Sequence, residues 1–166
     1  MDKMWSPWRS QYIDSFKDQT GDEQCVFCSA QNENIDDEKS LKVYEGKEAF
    51  VIMNLYPYNN GHTMVVPRRH LSDYGELTGS ERAEIAELID KTIQALKIVS
   101  SPQGFNVGAN IGKAAGAGID QHLHFHIVPR WMGDTNFMPV LGEVKVISEE
   151  LSKTKKSLIE AFKKIG

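Results

Sequence analysis

Residues 121–130 read Gln-His-Leu-His-Phe-His-Ile-Val-Pro-Arg, and this stretch holds three of the chain's five histidines. Because side chains alternate between the two faces of an extended strand, His122, His124 and His126 are predicted to share one face. The apolar residues between them then point to the opposite face and can enter a core: Leu123, Phe125 and Ile127. Each imidazole brings a donor and an acceptor that need partners, so a row of three fills a core poorly. A structural role is reasonable for any one of them, but three in register behind a glycine-rich loop indicate a functional face.

The overall composition is that of one ordinary globular domain spanning residues 1–166. The chain is 40% hydrophobic and 25% charged, values typical of globular proteins. Its net charge of −4 gives no sign of a nucleic-acid groove. It has neither an apolar run of about 18 residues, as a membrane helix needs, nor the apolar stretch of a signal peptide near its start. We therefore expect a cytoplasmic protein with no nucleic-acid or membrane partner.

Short apolar runs separated by turn residues predict five strands, and two longer periodic stretches predict helices. The strands are expected at 41–44, 49–53, 62–67, 105–111 and 122–128. A long helix is expected from Ser80 to about residue 100, and a second one after Ser148, each with an apolar stripe. Residues 17–40 are expected to be a loop around a local knuckle at Cys25–Cys28. Strands in meander order around one long helix predict an α+β fold with an antiparallel sheet.

Several separated motifs accompany the histidine-rich stretch in a fixed order. Asn54 comes first, Gly61-His62 then opens a strand, and Asn110 with a glycine loop precedes the pattern His-φ-His-φ-His-φ-φ, where φ is an apolar residue. Over residues 25–130 these motifs resemble the histidine-triad (HIT) superfamily of nucleotide hydrolases and transferases, with extensions at both ends. Four further segments resemble its bacterial diadenosine tetraphosphate phosphorylase-like branch: 5–9, 54–58, 104–108 and 129–137.

The resemblance implies covalent catalysis by a histidine. By this resemblance His124 is the nucleophile that carries a nucleoside monophosphate as a phosphoramidate. His126 then donates to the phosphate or leaving oxygens, and Asn110 contacts the phosphoryl group or the nucleophile. Independently of the family, neutral imidazole has a reference pKa of about 6.5, so it is mostly unprotonated at neutral pH and can attack phosphorus. A covalent intermediate divides one displacement into two easier ones.

The resemblance also implies substrate contacts. Asn54 is expected to contact the ribose, and His62 to shape the phosphate pocket, although a buried structural histidine near a turn is an equal alternative. Small residues at 112–118 let backbone N–H groups approach phosphate closely, although such a loop by itself is more often a flexible turn. A lone loop lysine is usually only solvated, but here it could offset polyphosphate charge. The candidate phosphate-binding residues of this loop are Lys113, Gly116 and Gly118.

Cys25-Val-Phe-Cys28 is the second strong motif. Such a turn aims two thiolates at one point, and tetrahedral zinc then needs two more nitrogen or sulfur ligands. By resemblance to zinc-bearing HIT proteins, His70 and His122 complete a structural Cys2His2 site. A redox pair is the weaker alternative, because no βαβ pattern surrounds the motif, and two buried cysteines without a metal are another. Magnesium associated with the substrate's phosphates is a further expectation.

Two classes of function remain open from the sequence. The leading one is an enzyme that attacks the α-phosphate of an adenine nucleotide through His124. If phosphate is the acceptor, it converts diadenosine tetraphosphate to ADP and ATP; if water is, it hydrolyses dinucleoside polyphosphates or nucleoside phosphoramidates. A slow-turnover nucleotide-binding module is the alternative, which the intact triad disfavours. Arg130 could reach the phosphate acceptor, although an exposed arginine near a strand end is more often only a surface charge. HIT proteins are commonly homodimers, so a homodimer is expected.

Overall fold

In the computed structural model the described residues are 25–134 and 149–166, and a five-stranded sheet forms their centre. The strands are β1 Lys42–Glu45, β2 Ala49–Met53, β3 Thr63–Pro67, β4 Gly104–Gly108 and β5 Phe125–Arg130. The helices in these ranges are α1 Val26–Ala30, α2 Gly79–Ser100 and α3 Leu151–Ile165. Two short 3-10 turns lie between them, at Tyr74–Glu76 and Lys113–Ala115.

The strand order across the sheet is β1-β2-β3-β5-β4, and every neighbouring pair is antiparallel. The predicted α+β class, with an antiparallel sheet, a long helix and a C-terminal helix, is therefore confirmed. The predicted meander order is wrong after β3, because β5 lies between β3 and β4. Since β3 and β4 are both antiparallel to β5, they run parallel to each other. A connection between parallel strands needs a crossover, and α2 supplies it.

Helix α2 begins with two reciprocal hydrogen bonds. The Thr78 side chain accepts from the backbone N–H of Glu81, and the Glu81 carboxylate accepts from the backbone N–H of Thr78. This capping box satisfies two amides that the first turn leaves without helical partners. The helix therefore begins at Gly79, one residue before the predicted Ser80. Its apolar face packs on β2, β3 and α3 with the predicted stripe: Ile85, Leu88 and Leu96 buried, Ile89 and Ile93 partly buried.

The sheet buries apolar residues on both of its faces. One face packs against α2 and α3 in the larger core cluster. The other face is covered by α1, whose Phe27 and Ala30 contact Phe50, Ile52, Met64 and Val66. Met64 on β3 pairs directly with His126 on β5, and directly opposite residues of an antiparallel pair point to the same face. His126 therefore lies on the face that α1 covers.

Three predicted segments differ most from the structure. Strand β5 begins at Phe125 instead of residue 122, because the chain before it bonds elsewhere: the N–H of Leu123 donates to the backbone oxygen of Leu71 at 2.7 Å. Strand β4 ends at Gly108 instead of residue 111. Part of the expected loop at 17–40 is the five-residue helix α1, which the apolar Phe27 anchors to the sheet.

Some predicted features lie outside the described residues. They are residues 135–137 of the segment 129–137, the whole segment 5–9, the apolar run at 144–147, and Ser148. The prediction of one domain over 1–166 includes these segments and stays a prediction. None of the helices in the described ranges combines the length and the apolar character needed to span a bilayer.

The Glu81 carboxylate offers a test of how the long helix is anchored. It is almost fully buried and accepts from Arg69 Nε at 2.6 Å and Arg69 Nη2 at 2.8 Å. Hydrogen bonds from Arg69, followed by those from Thr78, lower the pKa of Glu81 to about 2. Because the pKa is lower in the folded state, this stabilisation is present above the ordinary carboxyl pKa and is lost as the pH falls towards 2.

We therefore predict that Glu81→Gln lowers the free energy of unfolding by about 1–2 kcal/mol at pH 7. The difference in unfolding free energy between this variant and wild type should shrink as the pH falls from 4.5 towards 2. Urea unfolding at pH 7 and pH 3 measures it. Glu87→Gln is the control, since Glu87 lies on the same helix with a 65% exposed side chain. An equal loss at both pH values would contradict a role for the ionised carboxylate.

Candidate active site and metal site

Three imidazole rings meet where β3 and β5 lie side by side. His62 precedes β3, His126 is in β5, and His124 is the last residue before β5. The ring centroids of His124 and His126 are 4.8 Å apart, and those of His62 and His126 are 5.1 Å apart. The ring of His122 instead packs against His70 at 5.1 Å. The prediction of one strand face for the triad is therefore wrong in one respect: residues 122–124 are not strand, so the two-residue period does not apply to them.

The hydrogen bonds of His124 determine which of its nitrogens can react. Its Nδ1 lies 2.8 Å from the backbone oxygen of His122. A carbonyl oxygen can only accept, so Nδ1 carries the proton and Nε2 of the neutral ring has the lone pair. The ring is buried and lies 5.0 Å from the ring of Phe27. Burial lowers the pKa of His124. The neutral ring is thereby favoured, and Nε2 can attack an electrophile without a separate base.

The proton of His126 is assigned by a chain of hydrogen bonds that begins at a backbone amide. The N–H of Tyr58 donates to His62 Nδ1 at 3.0 Å, so the proton of His62 is on Nε2. That nitrogen is 2.9 Å from His126 Nδ1, which must then accept. The proton of a neutral His126 is therefore on Nε2, and His126 can act as a hydrogen-bond donor. This protonation agrees with the donor role predicted for His126, which stays a prediction.

His62 and Asn54 support this chain from within the protein. His62 is buried, as the structural interpretation expected, and it also contacts His126. Asn54 is buried beside it: its Oδ1 accepts from the N–H of Tyr56 at 2.9 Å, and its Nδ2 is 3.4 Å from His62 Nδ1. Asn54 therefore helps to hold the turn that precedes His62. Contacts of these two side chains with a substrate stay predictions.

The glycine-rich loop forms a 3-10 turn at Lys113–Ala115. Gly116 has φ +84°, and its N–H donates to the oxygen of Lys113 at 3.0 Å. This amide is thus used inside the turn. The Lys113 side chain is 86% exposed and lies 3.7 Å from an oxygen of Asp120. Phosphate binding by Lys113, Gly116 and Gly118 stays a prediction.

A cavity of about 390 Å³ lies beside the triad. His126 and Asn110 line it at one end, so the structure brings together these two predicted catalytic residues. Four further polar residues of its lining were not predicted as part of the site: Tyr58, Asn59, Asn106 and Asp134. Arg130 also lines it, and its contact with the phosphate acceptor stays a prediction. The two-residue period of β5 already puts Arg130 on the same face as His126. Tyr58 and Asn59, in the turn before β3, reach the lining because β5 lies next to β3, which the predicted meander order did not give.

The four predicted metal ligands converge on one point. Their ligand atoms all lie within 4.8 Å of one another. The Nδ1 of His122 is 3.3 Å from the sulfur of Cys25 and 3.7 Å from that of Cys28, whose sulfur is 3.3 Å from Nδ1 of His70. Tetrahedral coordination with Zn–S of about 2.3 Å and Zn–N of about 2.0–2.1 Å places sulfur and nitrogen roughly 3.5 Å apart. The spacing therefore fits a Cys2His2 metal site.

The protonation of His122 also suits a metal ligand. Its Nε2 is 2.8 Å from the backbone oxygen of Pro67 and must donate to it, so Nδ1 presents a lone pair to the cysteines. Burial lowers the pKa of His122 and favours its neutral form. With four protein ligands such a site is closed, which is typical of a structural metal. Within the described ranges no second group of three or more metal-ligating side chains converges. Magnesium associated with the substrate's phosphates stays a prediction.

Comparisons with known proteins agree with this geometry. The family model described as the HIT domain matches residues 36–132. A protein of Mycobacterium tuberculosis named AP-4-A phosphorylase is 40% identical over 161 residues, covering 95% of this chain and 83% of that protein. Adenosine 5'-monophosphoramidase hnt1 of Schizosaccharomyces pombe is 28% identical over 135 residues, covering 77% of this chain and 96% of that protein.

A solved structure gives the same picture of the fold. A zinc-bound histidine triad family protein from Mycobacterium smegmatis superposes with a TM-score of 0.65 at 24% identity, covering 87% of this chain and 97% of that one. The sheet order, the histidine cluster and the family match are consistent with one another. The chain therefore belongs to the HIT domain family, and it is an enzyme.

Proposed function

We propose that this enzyme transfers the adenylyl group of diadenosine tetraphosphate to inorganic phosphate, which gives ADP and ATP. The observation that carries the proposal is the arrangement of His124 and His126. A lone pair on His124 Nε2 stands next to a ring that can donate a hydrogen bond. Nucleophilic attack on phosphorus and departure of an oxyanion need these two groups together.

In the first step the lone pair of His124 Nε2 attacks the α-phosphorus. The bond from this phosphorus to the bridging oxygen breaks, and ATP leaves with the electron pair while His126 donates a hydrogen bond to the departing oxygen. In the second step an oxygen of hydrogen phosphate attacks the adenylyl phosphorus. The phosphorus–nitrogen bond breaks, its electron pair returns to Nε2, and ADP leaves while one proton passes to solvent. The carbonyl of His122 keeps Nδ1 protonated throughout.

The choice of phosphate as acceptor is supported by sequence similarity. The relative named AP-4-A phosphorylase matches 95% of this chain, and the segments 5–9 and 129–137 resemble that branch. Hydrolysis is the second candidate, and the match to a monophosphoramidase favours it. A binding module with slow turnover is not favoured, because binding does not require a buried neutral nucleophile beside a donor.

The remaining substrate contacts are proposed from their positions. Asn110 lines the cavity beside His126 and is proposed to contact the phosphoryl group. Asn54 is proposed to contact the ribose, and Lys113, Gly116 and Gly118 the phosphates, once a substrate reorders the loop. We further propose a cytoplasmic homodimer. The edge position of β4 and the half-exposed Val107 on it support pairing of two chains.

We propose that the Cys25, Cys28, His70 and His122 cluster binds structural zinc. When bound, the metal cross-links α1 to the segment before β5. The residues themselves do the positioning: the His122 ring enters the cluster, while its carbonyl holds His124. Phe27, between the two cysteines, packs on the rings of both His122 and His124.

Removal of the nucleophile is the first test. We predict that His124→Ala lowers kcat by at least about a thousandfold, because losing a covalent catalyst typically costs several orders of magnitude. Steady-state kinetics, with the circular dichroism spectrum and nucleotide affinity as controls for folding, measure the effect. Wild-type enzyme quenched in alkali should carry an acid-labile adenylyl group on His124. Activity within tenfold of wild type in the variant would falsify the assignment.

The second test concerns the metal. We predict about one zinc ion per chain in protein purified without chelators, and a lower melting temperature after chelation, because structural zinc contributes folding free energy. Cys28→Ser should lose the metal and the stability together. Ser29→Ala, in the same short helix, should keep both. Metal analysis that finds no zinc in the untreated protein would exclude the proposed site.

The third test identifies the acceptor. With isotopically labelled phosphate and diadenosine tetraphosphate, we predict that label enters the β-position of ADP and that cleavage requires phosphate. Chromatography of the nucleotides measures both. Formation of AMP and ATP at every phosphate concentration would instead identify a hydrolase, and the role of His124 would be unaffected.

A further inference from the structure

The cavity beside the triad extends from the reacting centre along β5. His126, Val128 and Arg130 line it in turn. Arg130 is four residues from His126, which is about 13 Å along an extended strand. The lining includes His126 but not His124, whose ring is buried against Phe27. The cavity therefore opens on the donor side of the catalytic pair.

The far end of the cavity presents a rigidly held guanidinium group. Arg130 donates from Nε and Nη2 to the two oxygens of Asp134, at 2.6 and 2.7 Å, and from Nη1 to Asn106 Oδ1 at 2.8 Å. Within the described part of the chain these bonds use three of its five N–H donors. The remaining N–H donors can bind phosphate oxygens. Because the side chain is already held in one orientation, this binding costs little further side-chain entropy.

Asp134 is itself held in place by neighbouring groups. Its Oδ2 accepts from Asn59 Nδ2 at 2.7 Å and from the N–H of Trp131 at 3.1 Å. Asn59 also donates to the backbone oxygen of Pro129 at 3.0 Å. The carboxylate thus joins the turn after β5 to the turn that precedes His62. These two turns, which both border the cavity, are therefore held at fixed positions relative to Arg130.

The geometry of phosphoryl transfer decides which part of a substrate faces this cavity. Nucleophile and leaving oxygen lie roughly in line on opposite sides of phosphorus. With His124 Nε2 on one side, the leaving group must lie on the side of His126, where the cavity opens. A volume of about 390 Å³ is within the range of ordinary small-molecule sites.

We propose that this cavity binds the leaving nucleoside polyphosphate, with Arg130, oriented by Asp134, contacting its phosphate chain. The site then selects substrates that carry a long anionic leaving group over adenylates with a small one. This inference rests on the proposed function, because it names the subsite for the half of diadenosine tetraphosphate that departs.

The experiment compares two substrates that share the adenylyl group and differ in the leaving group. Diadenosine tetraphosphate releases ATP, whereas adenosine 5'-phosphorofluoridate releases one fluoride ion. The readout is the ratio of kcat/KM for the first substrate to that for the second. We expect Arg130→Met to lower this ratio at least tenfold. Arg82→Met is the matched control, because Arg82 lies on α2, outside the cavity, and should leave the ratio unchanged.

Gly108→Leu tests the same cavity without touching the ion pair. Gly108 lies opposite His126, and a Cβ atom there meets nothing within 4 Å, so a side chain can begin there without a clash and extend into the space beside His126. It should lower the same ratio at least tenfold even if Arg130→Met does not fold. A ratio unchanged in the folded variants overturns the inference. An equal fall for both substrates also overturns it, because the cavity would then hold the transferred adenosine. Failure of the wild type to cleave diadenosine tetraphosphate would instead contradict the proposed function.

Discussion

The hydrogen bond between His124 Nδ1 and the backbone oxygen of His122 determines the chemistry of the site, because it leaves the lone pair of His124 on Nε2. A histidine in water exchanges between two tautomers and is partly charged near neutral pH. Here a carbonyl acceptor selects one tautomer, and burial lowers the pKa so that the ring stays neutral. Both effects require the segment before β5 to be held at a fixed position relative to the sheet.

Several independent contacts hold that segment. The N–H of Leu123 donates to Leu71 O, and Nε2 of His122 donates to Pro67 O. The other side of the His122 ring faces the two cysteines. One residue therefore connects the cysteine–histidine cluster to the proposed nucleophile through its side chain and its backbone. Its neighbour Phe27 connects the same two histidines through ring packing.

The donor side of the site depends on a second set of contacts, which begins in the turn before β3. The backbone amide of Tyr58 sets the tautomer of His62, and His62 sets that of His126. Asn59, the next residue in that turn, bonds to Asp134 and so links the turn to Arg130. A backbone turn thus orients the ring of His126, the proposed donor, and one wall of the adjoining cavity.

The sequence by itself determined the features that depend on local pattern. The strands β1 to β3, the apolar stripe of α2 and the proposed metal-ligand set Cys25, Cys28, His70 and His122 followed from periodicity, spacing and family motifs. The tertiary structure decided the rest. In the folded chain β5 lies between β3 and β4. The ring of His122 packs against His70 instead of joining the other two triad rings. Arg130 pairs with Asp134 beside a cavity. The physical reason is that strand neighbours, ring directions and cavities arise from contacts between residues distant along the chain, and local pattern does not encode those contacts.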